Sequence, residues 1–240
     1  MSIRLVPRMI SGPLDTRLYR IVHAVIAPVV KTIFRMRITG LENLPKDGPI
    51  VLASNHVTNA DPVFVGVACP RMVHFMAKAE IWKVPLLGRL VSRVGAFPVR
   101  RGGADREAVR TALRILKGGA VMGMFPEGRR QKLGKLGQPQ PGVGLFSLSE
   151  GVTTIPVALK GTNRILCDWR SPLPRVDVHF GPPVKADLKD LTRRERNREF
   201  SHAIMRALAE LLEVEWSPES FSAGEPAAKM DTGQAEVESG

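Results

Sequence analysis

The chain has 240 residues, 44% hydrophobic and 24% charged, which suits a single globular domain with a sizeable core. Its formal net charge of +12 implies an anionic partner, either nucleic acid or an anionic membrane. Aromatic content is only 5%, with one Tyr and no zinc-type Cys/His spacing, which disfavours nucleic-acid readers that rely on stacking and leaves a membrane surface as the expected partner.

The elements follow in chain order. At 100° per residue, Leu14, Leu18, Ile21, Val22, Val25, Val29, Ile33 and Met36 gather on one side of a helix, with Arg17, Arg20, Lys31 and Arg35 on its flank. This predicts an amphipathic N-terminal segment over residues 1–37, bent at Pro28, that packs on its own domain, lies on anionic lipid, or does both. The apolar stretch Ala24 to Val30 is seven residues long, well short of the about 20 needed to span a bilayer. No signal-peptide pattern is present, so the expectation is a peripheral protein on the cytoplasmic face of the cell membrane.

From Arg35 onward, strand-like and helix-like segments alternate. Strands are predicted at Arg35 to Thr39, Ile50 to Ser54, Val73 to Met76, Ala96 to Val99, Val121 to Phe125, Thr154 to Leu159 and Val176 to Phe180. Helices are predicted at Pro62 to Ala68, Ile81 to Arg93, Ala104 to Lys117, Val143 to Glu150 and Leu188 to Glu213. The alternation gives an α/β fold over residues 38–216, a mixed, largely parallel sheet flanked by helices. Residues 217–240 hold five acids against Lys229 and read as a disordered acidic tail. Cys69 and Cys167 are far apart and read as reduced thiols. The five histidines lack ligand spacing, so no metal site is expected.

Three places carry chemistry. Asp61-Pro62 has the form of an N-cap followed by proline at the first helical position, which leaves His56 in a short loop after a strand. A loop that folds His56 over Asp61 would fix one ring nitrogen and free the other to take a proton from an alcohol. This is the base-and-orienter part of a triad without a serine, so the substrate hydroxyl is the nucleophile. Gly95-Ala96-Phe97-Pro98-Val99-Arg100-Arg101 puts guanidinium groups at a strand end, where ligands of parallel sheets collect and where forked cations suit phosphate. Phe125-Pro126-Glu127-Gly128-Arg129-Arg130 repeats that logic, with Glu127 placed to orient an arginine or meet a glycerol hydroxyl.

Asn55-His56 with Asp61, Gly95 to Arg100, Phe125 to Gly128 and Ile155-Pro156-Val157 resemble the four ordered blocks of the glycerolipid acyltransferases. The pattern is similar to the bacterial 1-acyl-glycerol-3-phosphate (lysophosphatidate) acyltransferase family, over roughly Leu18 to Phe180. The resemblance implies transfer of a fatty acyl group from acyl-CoA or acyl carrier protein, as co-substrate and without a cofactor, to the sn-2 hydroxyl of lysophosphatidate. It implies His56 as base and Asp61 as its partner, with Asn55, Arg100, Glu127, Gly128, Arg129 and Arg130 on the substrate side and Pro156 in the acyl-side pocket. The family usually carries Glu-Gly-Thr-Arg-Ser, whereas this chain has Glu127-Gly128-Arg129-Arg130-Gln131, which adds a cation beside the expected phosphate. Gln140 stands before Pro141-Gly142, where the family often has a basic residue. Other acceptors (another lysophospholipid, glycerol-3-phosphate or a glycolipid) and a non-catalytic membrane-binding role on the same scaffold stay open at this point.

Overall fold

The structure, a computed structural model, describes residues 16–100, 105–132, 135–140, 142–165 and 175–218. Leu14, Arg101, Cys167, the side chains of Arg17, Leu18 and Val22, and the expected tail beyond 218 lie outside what is described.

Seven strands form one sheet in the order β1-β7-β6-β2-β5-β3-β4, with β1 Arg37–Thr39, β2 Ile50–Ser54, β3 Val73–Lys78, β4 Phe97–Val99, β5 Val121–Met124, β6 Thr153–Lys160 and β7 Asp177–Phe180. Every pairing is parallel except β6 with β7, so the mixed, largely parallel sheet expected from the alternation is present. β2 is buried at all five positions because helices cover both faces, which is why it reads as an unbroken apolar run. One face packs Val51, Ala53, Met122 and Met124 against α4 Arg106–Lys117, α5 Gly142–Ser147 and α6 Arg193–Leu212. The other packs Leu52, Val157 and Phe180 against α2 Asp61–Ala68 and part of α1 Thr16–Ile33.

Among the helix boundaries that differ from expectation, two do so for clear local reasons. The predicted helix Ile81 to Arg93 is divided into a 3-10 turn, Ala79–Lys83, and α3 Pro85–Arg93. Pro85 lacks an N–H and starts a helix more readily than it continues one. α6 begins at Arg193 rather than Leu188 because Thr192 and Glu195 form a capping box, each side chain bonded to the other's backbone N–H.

α1 packs on its own domain with one side and leaves another side exposed. Ala27 is buried, while Val30 and the following Phe34 pack on the core, with Phe34 edge-on to Phe64 of α2 at 5.1 Å. The stripe of Ile21, Val25, Val29 and Ile33 faces away and stays exposed, Val25 by 64%. The helix is apolar on two sides, and the narrower side, built on Ala27, allows the close approach that docks it. At the other end, the chain stays attached past Leu212: Trp216 Nε1 donates to the Gly137 carbonyl, and the Pro218 carbonyl accepts from Gln138 Nε2.

Candidate active site

The carboxyl ends of β2, β5 and β6 lie side by side, and the loops leaving them build the site. Where β2 stops pairing, Asn55 continues the join to β6: its Nδ2 donates to the Leu159 carbonyl and its Oδ1 accepts the Leu159 N–H at 2.8 Å. Asn55 is therefore buried and occupied by backbone, one position before His56.

Asp61 gathers the loop. Its Oδ2 accepts from His56 Nδ1 at 2.8 Å, Val57 N–H at 2.6 Å and Thr58 N–H at 2.7 Å, while Oδ1 accepts from the Thr58 hydroxyl at 2.9 Å. This replaces the expected N-cap role. Asp61 is the first residue of α2, the N-cap is Ala60, and the carboxylate reaches back to loop N–H groups instead of forward to helical ones. Its place at a helix N-terminus also favours the charge. Burial pushes the Asp61 pKa up, but the hydrogen bonds from His56, Thr58, Val57 and Thr162 outweigh it and hold the group below its ordinary value. Asp61 is therefore an acceptor-only carboxylate, and the shared proton resides on His56 Nδ1. In a neutral ring that tautomer makes Nε2 the lone-pair acceptor. The imidazole is 12% exposed, so it is not sealed from solvent.

The ring is fixed by more than Asp61. It stacks on Phe125 with centroids 3.9 Å apart, and Phe125 in turn lies 5.9 Å from Phe75. Gly123 makes this platform possible: a Cβ there would sit 2.2 Å from the Phe75 ring. The backbone of His56 is also held, its carbonyl accepting Gln131 N–H at 2.8 Å and its N–H donating to Glu127 Oε2 at 3.3 Å.

Glu127 is turned inward rather than toward an arginine or an acceptor. It is buried, with Oε1 accepting the Gly137 N–H at 2.8 Å and Oε2 the His56 N–H, so it ties two loops together. Burial raises its pKa to about 7, against the lowering effect of the Gly137 and His56 N–H groups and of Arg129, with Asp61 adding to the rise. The unfolded value is near 4.5, so the folded state holds an extra proton between about pH 4.5 and 7, and stability falls as pH rises through that window. Asp61 acts in the opposite sense, stabilising above its unfolded value of 3.8 and losing that contribution as pH falls. Glu127→Gln, neutral throughout, is expected to gain on the wild type by on the order of 3 kcal/mol between pH 5 and 8 in urea unfolding, less whatever its amide loses in pairing. An unchanged difference across that range would mean that Glu127 is not a buried, proton-binding acid.

Gly128 is left-handed at φ +66, and Gln140 packs so closely over it that a Cβ would meet Gln140 Cγ at 2.6 Å. The turn therefore requires glycine and throws Arg129 and Arg130 outward, both exposed, one strand from His56. Arg100 is exposed at the end of β4, three strands from β2 in sheet order, or about 14 Å at the usual ~4.8 Å spacing. Pro156 is not brought to the pair. It lies buried within β6, in register with Ala53, its carbonyl bonded to Gly181 N–H.

Sequence reasoning gave no role to Thr58, Gly123 and Thr162, and named Phe125 only as part of its motif. Thr58, Phe125 and Gly123 left a trace: a threonine three residues before the aspartate, an aromatic beside Glu127, and a glycine inside an apolar strand. Thr162 left none, since only the fold brings it to Asp61. Among the described residues no cluster of His, Cys, Asp or Glu could hold a metal ion.

A model of the Acyltransferase family matches residues 35–160 of the chain. The chain is 32% identical over 136 residues to a chloroplastic 1-acyl-sn-glycerol-3-phosphate acyltransferase of Arabidopsis thaliana, covering 55% of this chain and 38% of that protein. It is 33% identical over 96 residues to a 1-acyl-sn-glycerol-3-phosphate acyltransferase of Bacillus subtilis, covering 40% of this chain and 48% of that one. These alignments thus span less than half the length of either curated relative. The crystal structure of the 1-acyl-sn-glycerophosphate acyltransferase PlsC from Thermotoga maritima superposes with a TM-score of 0.63, covering 84% of this chain and 88% of that one. At 22% identity, this is a likeness of fold.

Proposed function

We propose, for a chain that belongs to the acyltransferase family, that it moves a fatty acyl group from a thioester donor, acyl-CoA or acyl carrier protein, to the sn-2 hydroxyl of lysophosphatidate. The observation that carries this reading is the 2.8 Å bond from His56 Nδ1 to a buried Asp61 held below its ordinary pKa, because it supports Nε2 as the base. The acceptor hydroxyl donates its proton to Nε2 as its oxygen attacks the thioester carbonyl carbon. The tetrahedral intermediate collapses by breaking the C–S bond, and the leaving sulfur takes the proton back from Nε2. A thiolate leaves readily, so one base suffices, and Asp61 stabilises the imidazolium that forms between the two steps.

Arg129 and Arg130, one strand from His56, are assigned to the acceptor phosphate, with Arg100 on its far side. Arg130→Ala should raise the acceptor KM by about 10- to 100-fold, the worth of one charge-assisted contact at about 1.5–3 kcal/mol, with the donor KM little changed. An equal rise for both substrates would make Arg130 a structural residue.

The acceptor and product are lipids, which suits peripheral attachment at the cytoplasmic face of an anionic membrane. The exposed stripe of α1, with Arg20 exposed beside it, supports this, and among the described residues no helix is long and apolar enough to cross a membrane. The test of the function is labelled acyl-CoA offered with lysophosphatidate, glycerol-3-phosphate, other lysophospholipids and a lysoglycolipid. Labelled phosphatidate as the main product is expected. Transfer chiefly to another acceptor would reassign the substrate, and transfer to none of them would favour the binding-only role.

A further inference from the structure

The segment between β3 and β4 carries an apolar surface that neither the core nor the proposed chemistry uses. Along it Val84, Leu86, Leu87, Leu90 and Val94 are exposed, Leu86 by 80% and Leu90 by 57%. Leu86, Leu90 and Val94 follow at every fourth residue, so they line one side of α3, with Leu87 beside them. The helix is held from its other side. Gly88 is buried against Trp82, where a Cβ would meet Trp82 Cα at 3.0 Å, and Trp82 Nε1 donates to Ser92 Oγ at 2.9 Å. The outward side is thus a rigid, built surface and not a frayed end.

Its surroundings indicate what covers it. Between residues 78 and 100 there are five cations, Lys78, Lys83, Arg89, Arg93 and Arg100, against one acid, Glu80. Lys83, Arg89 and Arg93 are exposed around the leucines. Leucines at the centre and cations at the rim match the acyl region and anionic headgroups of a bilayer. α2 and α3 both carry the chain in the same direction across the sheet, and right-handed crossovers put such helices on one face. That is also the face on which α1 docks, with its own exposed stripe outward. The segment leaves β3 at Lys78, at the strand-end level where the loops of His56 and Arg130 also begin.

We propose that α3 is a second lipid-contacting element, which lays Leu86, Leu87 and Leu90 on an anionic bilayer independently of α1. With two points of contact the protein is oriented as well as attached, and the strand ends are held toward the headgroups. The contact itself does not depend on the acyl-transfer reading, because vesicle binding needs no turnover.

The full chain and its Leu86→Ser/Leu90→Ser variant are compared by sedimentation with vesicles of phosphatidylcholine alone and with a quarter phosphatidylglycerol. Both side chains are exposed, so the variant should unfold at the wild-type temperature. Its partition onto anionic vesicles is expected to fall by about tenfold or more, with α1 intact. A Lys83→Gln/Arg89→Gln/Arg93→Gln variant should lose the preference for anionic over neutral vesicles. Wild-type partition in the double variant would overturn the proposal. So would sedimentation of the wild type alone as a dimer that the double variant abolishes, because a second copy would then cover the leucines.

Discussion

Replacing His56 by alanine is expected to lower acyl-transfer turnover by about 10²- to 10⁴-fold, the usual contribution of a positioned general base. The fold should survive. The substitution removes a partly exposed ring but leaves Asp61 with the Val57 and Thr58 N–H groups and the Thr58 hydroxyl as donors. The measurement is single-turnover transfer from labelled acyl-CoA, alongside thermal unfolding. Near-normal turnover with a normal melting curve would remove His56 from the mechanism. Loss of both would show only that the loop had collapsed.

Asp61→Asn should be at least as damaging, for a different reason. An asparagine amide can offer its N–H to His56 Nδ1, which drives the ring proton to Nε2 and removes the lone pair that receives the hydroxyl proton. A wrong tautomer with the geometry intact costs about 10⁴-fold in a comparable triad. Stability should fall as well. Oδ2 of Asp61 serves three donors, and an amide turned to donate to His56 leaves the Val57 and Thr58 N–H groups facing its NH2. One orphaned buried N–H costs about 1–3 kcal/mol. A variant that keeps its rate and loses only stability would make Asp61 a loop staple, not the orienter of His56.

The sheet was legible because its strands are buried on both sides and appear as short apolar runs such as Ile50 to Ser54. The His56–Asp61 pair was legible because only a short loop separates the two residues. What the sequence concealed depends on contacts between distant segments. Nothing near Glu127 announces that its carboxylate closes on the N–H groups of His56 and Gly137, since the folded course of two loops decides it. Helical periodicity found the apolar stripe of α1, but periodicity cannot say which of two apolar sides meets the sheet. The structure buries the side that carries Ala27, Val30 and Phe34. For Asp61, an Asp-Pro pair fits an N-cap equally well, and loop N–H groups held at 2.6 and 2.7 Å are a tertiary outcome.

The account depends on where one proton sits, and ring-nitrogen NMR reads that directly. In ¹⁵N-labelled protein at a pH where the imidazole is neutral, with its signals identified by their loss in His56→Ala, His56 Nδ1 should carry the proton and Nε2 should show the shift of an unprotonated nitrogen. A neutral ring protonated at Nε2 instead would mean that Asp61 does not hold it as described, and His56 could not accept the hydroxyl proton.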